Sequence, residues 1–281
     1  MLFEIDHITR YGYTAPVHLG EHLLRFLPPP LAGQRPGLCT LAVDPVPSRR
    51  EEDLDVWGNR LQRVWFQGHT DRLEIRAHLE VETLEKGLPA GSGELRLPVA
   101  YGAGALAMAP YLQALEDPAN LQSFMQPLLA GAAGDAMIFL AALNQSIHAF
   151  YHRGVRLAGP PRTPAETLVL GEGVCRDLAV LFMAVCRQAG LAARFVSGYQ
   201  QGDGTRALRY LHAWPEVYLP GYGWLGYDPT HGTVVGTDHV AVAAAPSAEA
   251  VTPVEGGYSF QGAEITSTLE TEIRITTRHG Q

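Results

Sequence analysis

One stretch of the chain carries a cysteine, a histidine and an aspartate in settings that suit chemistry. Cys175 stands in GVCRD, His212 in LHAWPEVYLP and Asp228 in GWLGYDP. The three are far apart along the chain, so only the fold can bring them together. A thiol, an imidazole and a carboxylate are the groups that covalent acyl chemistry needs: a nucleophile, a base for its proton, and an orienter of the base. The thiol would attack a carbonyl carbon, usually of an amide, and leave an acyl-enzyme. His212 would take the thiol proton and later give it to the leaving amine. The oxyanion needs donors, and the backbone N–H of Cys175 is the first of them. For a second donor Tyr199, Trp214 and a residue within 166–173 all stay open.

The surrounding residues say which elements must hold these groups. Gly171 and Gly173 break the chain ahead of an apolar run, which predicts Cys175 in the first turn of a helix. Leu178, Phe182, Val185, Cys186 and Ala189 recur at helical spacing, and Ala179, Leu181 and Met183 fill the other sides. A helix apolar nearly all round is a buried one. Its N-terminus carries partial positive charge and unpaired N–H groups, which favour a thiolate. Gly190 is a natural residue to end it. Residues 193–200 predict a strand, His212 opens the next and Asp228 closes the one after. Trp214 and Tyr218 share strand parity with His212, so they either shape a cleft or pack. Asp177 either binds a substrate amine or, as a first-turn acid, simply suits the helix dipole. Asp177, Tyr199 and Trp214 are therefore the candidate substrate-binding residues. Gly202, Asp203 and Gly204 predict a loop near the cleft, and residues 234–245 read as loop or helix.

The segments GVCRD, HAWPEVYLPGYGW and YDPTHG resemble the transglutaminase-like core of bacterial proteins, a branch of the papain-like cysteine enzymes. The resemblance covers about residues 147–235. The segments HITRYGYTAPV and DVWGNRLQRVWF also resemble the β-rich region that precedes this core in many bacterial members. The resemblance implies an α+β fold: a papain-like core, with a central helix packed on an antiparallel sheet, preceded by a β-rich N-terminal domain. It carries the family's nucleophile to Cys175, its base to His212 and its carboxylate to Asp228. It does not reach a substrate.

Patterning along the rest of the chain agrees with two domains, 1–98 and 99–281. Residues 3–13 and 72–82 alternate with period two, and shorter apolar runs between them are separated by PPP, PVPS and WGN. That is the pattern of short antiparallel strands. Residues 84–104 are rich in Gly and Pro and read as a linker, after which 105–150 turns helical. Thr163, Pro164 and Glu166 have the spacing of a capped helix start. Residues 264–277 alternate again and predict a last strand. His7, His69 and His78 fall on strands or surface, and His148 and His152 flank a helix end.

Composition bounds the function. The chain has 281 residues, a net charge of −8 and three cysteines. That acidity argues against nucleic acid and anionic membrane as partners. Glu4, Asp6 and Arg10 interrupt the first ten residues, so a cytoplasmic protein is expected. Cys175 and Cys186 would lie roughly 16 Å apart along one helix, too far for a disulfide. Cys39 and Cys186 read as buried apolar residues. Asp238, His239 and His231 invite a zinc reading, but zinc sites usually show tighter paired spacing on one element, so no metal and no cofactor are expected. The expected function is a cysteine-dependent hydrolase of a peptide or protein amide. Acyl transfer to an amine is the alternative, and a non-catalytic binding module on the same fold comes after it. Hydrolysis is preferred because the core shows no insert for an amine acceptor near His212, the 201–210 loop being short. Nothing in the sequence indicates the oligomeric state.

Overall fold

The computed structural model describes residues 1–87, 95–114, 119–150, 152–153, 156, 159–202, 209–260, 262 and 264–278. The loop expected at Asp203 and Gly204 lies outside these residues.

The chain opens with β1 (Leu2–Leu24), whose inward side chains Phe3, Ile5 and Leu19 are fully buried. It is followed by β2 (Gln34–Asp44), β3 (Arg49–Leu54), β4 (Arg60–Trp65) and β5 (Thr70–Thr83). All pair antiparallel, in the order β2-β5-β1-β4-β3. The first half of β1 lies beside β5, from Leu2 opposite Glu82 to Gly12 opposite Arg72, and its end lies beside β4. The alternation read at 3–13 and 72–82 is therefore one pair of neighbouring strands.

Helices α1 (Ala105–Leu112), α2 (Ala119–Ala132) and α3 (Ala136–Phe150) come next, as the composition of that stretch predicts. The described end of the expected linker is not a free tether. Leu95, Leu97, Val99 and Tyr101 pack on the helical core, and the Tyr101 hydroxyl accepts from the Ala192 N–H at 2.6 Å. Their alternate spacing turns every second side chain onto the core, although the stretch forms no strand.

The core follows as β6 (His152–Arg153), α4 (Pro164–Leu170), β7 (Glu172–Gly173), α5 (Cys175–Gln188), β8 (Ala193–Gln200), β9 (His212–Leu219), β10 (Gly223–Asp228), β11 (Thr233–Val234) and β12 (His239–Ala245). Five of these strands form an antiparallel sheet ordered β11-β10-β9-β8-β12. One face takes α5: Leu178, Phe182, Val185 and Cys186 are fully buried in a cluster with Phe195, Val217, Leu225 and Tyr227. Each such side chain contributes about 1.5–3 kcal/mol of hydrophobic stabilisation. Tyr199, Val240 and Val242 of the same sheet join the core of the N-terminal strands instead. Helix, core sheet and N-terminal sheet are thus stacked in an α+β fold.

Two sequence expectations change here. Residues 234–245 hold no helix: Val234 ends β11, residues 235–238 are loop, and the rest form β12, whose Val and most of whose Ala side chains are buried as it pairs with β8. A run of small apolar residues buried all round has no period by which to tell strand from helix. The chain's end, assigned to the 99–281 domain, returns to the N-terminal sheet. There β13 (Val254–Ser259) and β14 (Ser267–Arg278) pair with β1, and β14 runs from Ser267 opposite Tyr13 to Arg278 opposite Leu2. Alternation predicts a strand but not its partner. Among the described residues no helix is long and apolar enough to cross a membrane.

Candidate active site

The site is built where α5 begins. Helix α4 starts as expected: Thr163 Oγ1 accepts from the Glu166 N–H at 3.2 Å, and Glu166 Oε2 accepts from the Thr163 N–H at 2.8 Å. Gly171 ends it with φ of 62°, a conformation that glycine adopts without strain. The chain then has only Glu172, Gly173 and Val174 in which to reach Cys175. A Cβ on Gly173 would sit 3.0 Å from Leu178 and 3.2 Å from Asp177, so the missing side chain lets this turn lie against the helix.

Asp177 locks that turn. Its Oδ2 accepts from the Val174 N–H at 3.0 Å, and its Oδ1 accepts from the Arg162 N–H at 2.8 Å and from the Arg156 guanidinium. The side chain is 0% exposed. Between the two open readings of Asp177 the structure favours the helix-start role, because both oxygens are already engaged by the protein.

Cys175, at the first position of α5, is half-buried. Its sulfur faces the imidazole of His212 and the backbone N–H of Ala213. Burial pushes the thiol pKa up, but His212 and that N–H outweigh it and the net shift is downward. His212 is the first residue of β9, and its Nε2 lies 2.8 Å from Asp228 Oδ2, which leaves Nδ1 for the sulfur. Burial disfavours the imidazolium, yet the Asp228 carboxylate and Cys175 raise the pKa to about 10. Both shifts run in the direction that favours a thiolate beside an imidazolium.

Asp228, the last residue of β10, is completely buried. Beside it, the Tyr227 ring stacks on Phe182 of α5 with centroids 5.4 Å apart. Its Oδ2 faces three imidazoles: His212 Nε2 at 2.8 Å, His231 Nδ1 at 2.7 Å and His239 Nε2 at 3.0 Å. Oδ1 accepts from the N–H groups of Thr230 at 2.9 Å and His231 at 3.3 Å. Burial alone would raise this carboxyl; the histidines hold it well below the usual range. The loop after it is tied to α3 through His148 Nδ1, Gln145 Nε2 and Asn144 Nδ2, which donate to the carbonyls of Thr230, Gly232 and Thr233.

The three residues picked out for chemistry therefore meet, whereas the substrate-binding candidates are buried: Asp177 at the helix start, Tyr199 in the core, and Trp214 beside His212 with ring centroids 6.0 Å apart. Tyr199 is fully buried, and its hydroxyl is 2.8 Å from His7 Nδ1 in the core shared with the N-terminal strands. Trp214 is also buried, with its indole against the backbone of Gly198 and edge-to-face on His239 at 5.1 Å. Its Nε1 has no hydrogen-bond partner among the described residues. His231 and His239 are the residues that sequence reasoning missed. The sequence presents them only as zinc ligands, although His231 stands three residues after Asp228 in YDPTHG and His239 directly follows Asp238 in TDH. His212, Asp228 and His231 offer atoms within 4.8 Å of one another, a spread that a cation could span. Their chemistry fits a hydrogen-bond network better: Asp228 Oδ2 already serves three imidazoles, and His212 bridges it to Cys175.

Comparison with known proteins places this geometry in a family. Residues 3–82 match the bacterial transglutaminase-like N-terminal region, and residues 140–229 match the transglutaminase-like superfamily. An uncharacterised protein of Mycobacterium tuberculosis is 36% identical over 101 residues, 32% of either chain, so the match spans about a third of that relative's length. A protein-glutamine gamma-glutamyltransferase of Pseudomonas aeruginosa is 42% identical over 66 residues, 21% of this chain and 10% of the relative. A solved structure of a proposed cysteine protease from Cytophaga hutchinsonii shares the fold with a TM-score of 0.75 at 19% identity, covering 100% of this chain and 92% of that one. The chain thus joins a bacterial transglutaminase-like N-terminal region to a core that belongs to the transglutaminase-like superfamily.

Proposed function

We propose that this protein is a cysteine-dependent hydrolase of peptide or protein amides, working through an acyl-enzyme on Cys175. The observation that carries the reading is that Cys175, at the start of a helix, faces His212, whose Nε2 lies 2.8 Å from Asp228 Oδ2. The thiolate attacks the amide carbonyl carbon, and the carbonyl π electrons move to oxygen, where the Cys175 N–H stabilises them. As the C–N bond breaks, the imidazolium of His212 gives its proton to the departing amine. Water then attacks the thioester. His212 takes a proton from it, the C–S bond breaks, and free acid leaves while thiolate and imidazolium are restored. Asp228 stays ionised throughout, holding His212 in orientation and stabilising its positive form.

Transfer to an amine shares the same acyl-enzyme and differs only in what attacks it. The similarity to a protein-glutamine gamma-glutamyltransferase over 66 residues favours that second reading. Hydrolysis is preferred because a transferase must seat a second substrate and keep water away, which calls for a dedicated acceptor site. The deciding experiment supplies a cleavable peptide amide and a large excess of a primary amine, with products read by mass spectrometry. Free acid as the main product is expected. Predominant amine adduct means a transferase, and no turnover across an amide library means a binding module.

A further inference from the structure

His239 opens β12 with its side chain 1% exposed, and each of its ring nitrogens faces a carboxylate. Nε2 lies 3.0 Å from Asp228 Oδ2 and Nδ1 lies 2.8 Å from Asp238 Oδ1. An ionised carboxylate only accepts, so both bonds require a hydrogen on both nitrogens, and such a ring is a cation. Asp228 is ionised because its Oδ1 accepts from two backbone N–H groups while its Oδ2 faces three imidazoles. Asp238 is 38% exposed, and Gln200 Nε2 lies 3.4 Å from its other oxygen. We infer that His239 is a buried imidazolium clamped between Asp228 and Asp238, a positioning residue that fixes the Asp228 carboxylate and loosens its hold on the proton of His212. The inference rests on the proposed Cys175–His212–Asp228 site and adds a residue to it.

The groups around the ring set the sign. Among the described residues, the charged or titratable groups facing His239 are Asp228 from β10, Asp238 beside it in sequence, and His212 from β9 with ring centroids 6.2 Å apart. His231 shares Asp228 from the turn after β10. Trp214 covers the remaining approach edge-to-face. Burial opposes a charge here, yet the two carboxylates prevail and raise the His239 pKa, while Asp238 is lowered. One buried carboxylate thus faces two cations. If His239 loses its charge, Asp228 attracts the His212 proton more strongly, and His212 gives it up only at higher pH.

The test is nitrogen-15 NMR of histidine rings in the full-length protein, with His239 assigned by its disappearance in His239→Gln. Both His239 ring nitrogens should be protonated at pH 7 in the parent protein. In Asp238→Asn, altered at a partly exposed position, one nitrogen should lose its proton. The midpoint for deprotonation of His212 should rise by about one pH unit in both variants. A neutral, single-tautomer His239 in the parent protein overturns the inference, as does a His212 midpoint that is unchanged in both variants. The readout needs no substrate. Failure to cleave amides, with His239 doubly protonated and the His212 midpoint moved, would sink the proposed function and leave this inference standing.

Discussion

Two cysteines on one helix have opposite chemistry because of what lies near each sulfur. Cys175 sits at the helix start beside His212 and the Ala213 N–H, and its thiol pKa is lowered. Cys186 is fully buried, and burial pushes its thiol well above the ordinary value. Only a thiolate alkylates readily, so brief iodoacetamide treatment of the native protein should label Cys175 and leave Cys186 untouched. Equal labelling on peptide mapping would remove the basis for Cys175 as nucleophile. Asp228 orients His212 in the proposed mechanism and moves no proton. Asp228→Asn should therefore lower kcat by about 10²–10⁴. Unchanged turnover in that variant would show that another group orients the base.

At the scale of elements, what could be read from sequence is what has a period or a punctuating residue. The helix after Cys175 was readable from its apolar spacing, and α4 from its Thr–Pro–Glu start. The strand at His239 was not, since an Ala and Val run buried on all sides looks alike in either conformation. The cysteine, histidine and aspartate were readable because their residue types are rare in combination. The burial of Tyr199 and Trp214 was not readable, because strand parity tells which face a side chain takes but not what covers it. Tyr199 is covered by the N-terminal sheet, and Trp214 by β8 and β12. Gly198 makes the second of these packings possible. A Cβ there would lie 2.2 Å from the Val240 carbonyl oxygen and 2.6 Å from Trp214 Cη2. The strand backbone cannot yield as a surface side chain could, so Gly198→Ala should cost about 1–3 kcal/mol in urea unfolding. It should also lower turnover, because the displaced indole touches both His212 and His239. Parental stability would mean that the sheet gives way more easily than its packing implies.

For the whole molecule, β1 is where the parts join. It pairs with β4, β5, β13 and β14, so both ends of the chain meet on one strand. It also carries His7, whose Nδ1 lies 2.8 Å from the Tyr199 hydroxyl of the core sheet and whose Nε2 lies 3.2 Å from Thr9 Oγ1. The ring sits edge-to-face with Phe26 and Tyr199, nearly out of water. Burial lowers its pKa from 6.5 to about 4. The unfolded chain therefore takes up a proton as pH falls below 6.5, while the folded protein does so only near 4. Between those values the folded state loses ground; above 6.5 both forms are neutral and nothing is lost. Across the window the effect amounts to about 3 kcal/mol at most. Replacing both partners, in the double variant His7→Phe with Tyr199→Phe, removes the titrating ring without orphaning the tyrosine hydroxyl. Urea unfolding at pH 7 and at pH 4.5 should then show a smaller acid-induced loss in the double variant than in the parent, by about 2 kcal/mol. Equal losses would mean that His7 takes its proton without separating the two sheets.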